Sequence, residues 1–175
     1  MLSSLLPNPL HPAVVHLPMA LTMLLPLFVV GSLWAIRRGS APRVAWGVTA
    51  ALFAALALSA WVAVETGEDT AEQVERVVAE ETVETHEERA EAFQVMSAVM
   101  LGVALVGFAP GRAGQAARLT SAVGSVLLLG AGWQVGHSGG ALVYQHGAAS
   151  AYATPGGSAE KAPATTTGSG GDDDR

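Results

Sequence analysis

The chain has 175 residues, of which half are hydrophobic and only 14% charged, and its mean hydropathy is +0.39. That balance excludes an ordinary soluble domain and fits one small membrane domain. The net charge of −6 is unevenly spread, with 11 acidic and 2 basic residues between Glu65 and Glu91, and no basic patch points to nucleic acid. The absence of cysteine excludes disulfides, thiolate zinc, iron–sulfur clusters and covalent c-type haem attachment.

The first apolar run, Leu10 to Ile36, opens with His11, Pro12, His16 and Pro18 and stays uncharged as far as Arg37. It is long enough to cross a bilayer as a helix, which takes about 20 apolar residues. Met1 to Leu6 lacks the basic start of a signal peptide and the run is too long for its apolar part, so the span is read as retained. Three more runs follow, and the four predicted spans are 16–36, 44–64, 92–109 and 119–136. Pro26 lies inside the first and is expected to kink or loosen it. Alanines in span two and Gly124, Gly130, Gly132 and Gly136 in span four allow helix backbones to approach closely where lipid removes any hydrophobic force between helices. The expected fold is all-α: an integral membrane four-helix bundle over residues 8–150.

Arg37, Arg38 and Arg43 follow span one, and Arg112 and Arg118 follow span three, with no acid in either loop. Basic loops stay cytoplasmic, which places both termini outside. Trp34 and Trp46 then fall at inner ends and Trp61 and Trp133 near outer ends, as an aromatic belt would. Between spans two and three, Ala71, Val74, Val77 and Val78 recur at helical spacing among acids, predicting an outer amphipathic helix over about 67–91, with Thr66 or Asp69 as N-cap. Gly136-His137-Ser138-Gly139-Gly140 is read as a helix stop. From 153 to 175, Pro, Gly, Ser, Thr and a closing acidic run predict a disordered tail.

The predicted topology sends all five histidines, His11, His16, His86, His137 and His146, to the outer end. His16, His86 and His137 stand at the mouths of three spans and are the first candidates for a common site, with His11 and His146 second. Imidazole is the commonest ligand for Zn, Cu, Fe and Ni, and two facing imidazoles hold b-type haem. The expected cofactor is therefore haem b or a transition-metal ion, serving electron transfer or sensing. No charged residue or histidine falls near the midplane, which disfavours an ion pump. No G-x-S-x-G elbow or H-E-x-x-H is present, so no catalytic residue is assigned. A different class is a non-catalytic accessory or assembly protein, contacting a redox or assembly partner through its acidic outer helix. Taken singly, each histidine also has an ordinary reading as a helix cap or an interfacial group.

Four sequence stretches carry a family resemblance: Leu10-His11-Pro12 through His16-Leu17-Pro18, Thr66-Gly67-Glu68, His86-Glu87-Glu88, and Gly139-Gly140-Ala141-Leu142-Val143-Tyr144-Gln145-His146-Gly147. In that order they resemble the small bacterial membrane proteins grouped as domain-of-unknown-function family 2231. The resemblance implies a four-span inner-membrane protein and no established activity. His11, His16, His86 and His146 fall in its motifs, whereas His137 enters from topology alone.

Overall fold

A computed structural model describes residues 10–152. Five helices follow one another: α1 (His11–Val14), α2 (His16–Arg37), α3 (Pro42–Glu75), α4 (Glu80–Val106) and α5 (Gly111–Tyr144), with a closing 3-10 turn at Ala148–Tyr152. The described residues contain no strand. Helices α2 to α5 are each long and apolar enough to cross a membrane. Each packs on its neighbours in chain order, and α5 closes the ring against α2. At most 33% of each apolar stretch is buried inside the bundle, so the rest, including Leu27, Val30, Leu58, Val123 and Val126, needs lipid as its solvent.

The core runs along the bundle axis through Leu25, Val29, Trp46, Phe53, Leu56 and Leu128, all fully buried. Trp46 therefore does not belong to an aromatic belt. Its indole Nε1 donates to the Ala104 carbonyl at 2.8 Å, joining α3 to α4, because a buried indole N–H requires a partner. Trp34, Trp61 and Trp133 are exposed, and the Arg38 guanidinium lies 5.0 Å from the Trp34 ring centre. Buried hydroxyls are satisfied: Ser32 donates to Ala45 O at 2.8 Å and lies 2.7 Å from Thr49 Oγ1, while Ser97 and Ser121 bond carbonyls one turn back. Small residues set the approach of α5: a Cβ on Gly132 would come within 3.1 Å of Thr22 and 3.4 Å of Phe93.

Three expectations are corrected. First, the acidic segment is not one helix over 67–91. Helix α3 continues past the apolar stretch to Glu75, the chain turns at 76–79, and α4 begins at Glu80. Val78 and Val83 bury against Leu142 and Ala148, flanked by Ala71 and Val74, so the valines that suggested one helical stripe instead serve a helical hairpin. Second, neither Thr66 nor Asp69 is an N-cap, since both lie inside α3, where Thr66 Oγ1 donates to Val62 O at 2.9 Å. Third, Gly136 to Gly140 does not stop the helix, and α5 runs through to Tyr144. Helix α2 likewise continues through Pro26. A one-residue interruption comes earlier, at Val15, which keeps helical dihedrals while Pro18 has no N–H for the carbonyl of Val14. The disordered tail expected over 153–175 lies outside the described residues.

Candidate functional site

Helix α1 packs on α3. His11 Nδ1 lies 2.9 Å from the carbonyl of Ala63. A carbonyl only accepts, so Nδ1 carries the proton and a neutral ring has its lone pair on Nε2. The ring rests on Gly67, where a Cβ would come within 3.2 Å of Cε1.

His86 is held in a matching way from the other half of the bundle. Its Nδ1 is 2.9 Å from Ser138 Oγ, and the Ser138 hydroxyl donates to Val135 O at 3.0 Å. With the one hydroxyl proton used there, the His86 Nδ1–H donates to Ser138 and the lone pair again falls on Nε2. This ring rests on Gly139, where a Cβ would lie 3.0 Å from Cε1. The two ring centres are 6.4 Å apart and the planes are inclined by 83°.

Both histidines line a cavity of about 420 Å³ between the acidic hairpin and the ends of α1 and α5. Its walls are mainly apolar, including Ala63, Val74, Val83 and Leu142, and Ala148, Ala149 and Tyr152 of the closing turn cover one side. Glu68, Glu87 and Glu91 supply its acidic groups, and no lysine or arginine lines it. Residues up to Glu91 precede the apolar stretch of α4 and stand outside the membrane-spanning segment. There, burial pushes the His86 imidazolium down to about 4, helped by the charges of His11 and Arg89. Burial also pushes the Glu87 carboxyl up, aided by Glu75, Glu68, Glu91 and Glu84.

The five histidines thus do not form a cluster. His16, His137 and His146 are exposed and do not line the cavity, so the first-choice set of His16, His86 and His137 is not brought together. His11 pairs with His86 instead, because α1 folds across α3, whereas His16 and His137 lie on outward faces of α2 and α5. Among the described residues no three His, Cys, Asp or Glu side chains converge as ligands to one ion. Ser138, Gly67 and Gly139 were not expected as site residues. Ser138 serves the histidine of another helix rather than its sequence neighbour His137, a pairing that no spacing in the sequence could display.

The stretches His11-Pro12, Thr66-Gly67-Glu68, His86-Glu87-Glu88 and the glycine-rich run from Gly139, distant in sequence, all contribute to this one cavity. No curated protein and no solved structure matches the chain. The family described as "Predicted membrane protein (DUF2231)" matches residues 7–151, which is most of the chain and includes every residue named above as lining the cavity except Tyr152. The protein is therefore a multi-pass membrane protein belonging to that family.

Proposed function

We propose that this protein holds a metal centre, haem iron or a transition-metal ion, between His11 and His86 at one end of the bundle, for electron transfer or sensing. The observation that carries the reading is the pair of imidazoles 6.4 Å apart, each tied at Nδ1 and each left with Nε2 for a ligand. Metal-bound histidines are oriented in this way, the second nitrogen donating to a carbonyl or another acceptor. His16, His137 and His146, though candidates by sequence, are exposed and take no part in the proposed centre. The protein sits in a bacterial inner membrane with this end outside, where a redox or assembly partner meets it.

The test is metal analysis and visible absorption of detergent-solubilised protein, expressed with haem and metal supplements. His11→Gln and His86→Gln are expected to lose the bound group, and His16→Gln and His137→Gln to keep it. A wild-type protein that stays colourless and metal-free sinks the reading. A second reading then stands, that of a non-catalytic accessory protein whose acidic hairpin contacts a partner. It is supported by the exposure of every acid from Glu65 to Glu91 except Glu87.

A further inference from the structure

We infer that the group held by His11 and His86 is a bare monovalent copper ion in near-straight two-coordination, an inference that rests on the reading of these two residues as ligands. A metal about 2 Å from each nitrogen, with each ring centre about 1 Å further on, separates the ring centres by roughly 6 Å when the nitrogen–metal–nitrogen line is straight, and by roughly 5 Å when it is bent to a tetrahedral angle. The observed 6.4 Å is the separation that the straight arrangement requires with the two Nε2 atoms turned toward each other.

The number of donors agrees. Structural zinc takes four protein ligands and catalytic zinc three, but among the described residues no third ligating side chain joins the pair. Two groups accept a straight pair of imidazoles: haem iron, which brings four nitrogens of its own, and a monovalent d¹⁰ ion, which is content with two. Imidazole suits copper as a ligand, and the walls beside the pair, such as Val74, Val83 and Leu142, are apolar and offer no further donor.

Charge separates the two. Haem carries two propionates, which need cationic or strongly donating partners. The cavity offers instead the carboxyl-bearing Glu68, Glu87 and Glu91, and no lysine or arginine. Carboxylates beside propionates repel, whereas carboxylates around an entering cation attract it. The acids exposed along the hairpin extend the same field outward and raise the local concentration of cations at the mouth.

The experiment is a titration of the intact, detergent-solubilised protein with Cu(I) under reducing, oxygen-free conditions against a chromophoric Cu(I) chelator, with parallel arms for Zn(II) and haemin. The expected result is one Cu(I) per chain, an X-ray absorption edge of two-coordinate copper with nitrogen neighbours, and little binding of Zn(II) or haemin. His11→Gln and His86→Gln should each weaken Cu(I) binding by at least about 100-fold. Ser138→Ala, which keeps both ligands, should weaken it by about 10- to 100-fold, the usual consequence of removing a group that orients a ligating histidine. Thermal unfolding of each variant checks that it is folded, and Ser138→Ala carries the test if a histidine variant is not. Stoichiometric haem lost with either histidine, and no Cu(I), overturns the copper assignment while leaving the ligand reading intact. Cu(I) binding that survives in folded histidine variants, or no binding in any arm, overturns both.

Discussion

Gly139 decides where the His86 ring lies. A methyl group there would stand 3.0 Å from Cε1, tighter than nine in ten real Cβ contacts, so the ring must give by a few tenths of an ångström, and its Nδ1 bond to Ser138 is the contact put under strain. Gly139→Ala lies in a helix, where alanine is favoured over glycine, and its backbone cost is therefore small. The expected outcome is metal affinity reduced by at least about tenfold, with the melting temperature nearly unchanged, measured by chelator competition and thermal unfolding. The same residue scale sets a dependence on pH in the metal-free protein. His86 titrates at about 4 when folded and near 6.5 when exposed. Between those values the unfolded state binds more protons, so stability is level above about 6.5 and falls as pH drops toward 4. Glu87, pushed up by burial and by neighbouring acids, works in the opposite sense and gains stability as pH falls. The difference between wild type and His86→Gln isolates the histidine: unfolding temperatures measured from pH 7.5 to 4 should converge toward the acid end if wild type is the more stable at neutral pH, and a constant difference would contradict the assignment.

At the scale of elements, the four spans were legible because a bilayer demands about 20 apolar residues each, a signal that no tertiary contact can hide. Where helices continue beyond the bilayer, the signal fails. Glu65 to Glu75 looked like part of a separate surface helix because the apolar run ends at Val64, yet its backbone simply prolongs α3. Gly136 to Gly140 looked like a stop because glycine is a poor helix former in isolation. In the fold the residues missing a Cβ are what allow α5 to lie against Met19 and His86, and packing overrides propensity. Trp46 was misplaced for a related reason, since an indole at the end of a span reads as an interfacial anchor whether it points toward lipid or toward α4. The structure predicts a sharp contrast between two tryptophans. Trp46→Ala empties a fully buried site and removes the bond to Ala104, and should cost about 3–5 kcal/mol. Trp133→Ala, at a position 73% exposed, should cost within about 0.5 kcal/mol. Unfolding in mixed micelles of increasing denaturing detergent measures both, and equal costs would contradict the packing described.

At the scale of the molecule, the two ends of the bundle carry opposite charge. The turn between α2 and α3 and that between α4 and α5 lie at one end with Arg37, Arg38, Arg43, Arg112 and Arg118, while the turn at 76–79 lies at the other with the acidic hairpin, His11 and His86. Arg118 donates to the carbonyl of Gly107 at the C-terminal end of α4, where a cation also complements the helix dipole, and Arg38 lies over the Trp34 ring. Short basic loops are retained in the cytoplasm, so the histidine pair should face the outside of the cell, where the proposed metal ion would reach it without crossing the membrane. The absence of cysteine makes each introduced cysteine unique. Single substitutions at the exposed positions Glu81 and Arg112, treated in intact cells with a membrane-impermeant maleimide, are expected to label at Glu81→Cys and to label at Arg112→Cys only after the cells are opened. The reverse pattern would place the cavity on the cytoplasmic side, and the acidic hairpin would then collect cations from the cytoplasm rather than from outside.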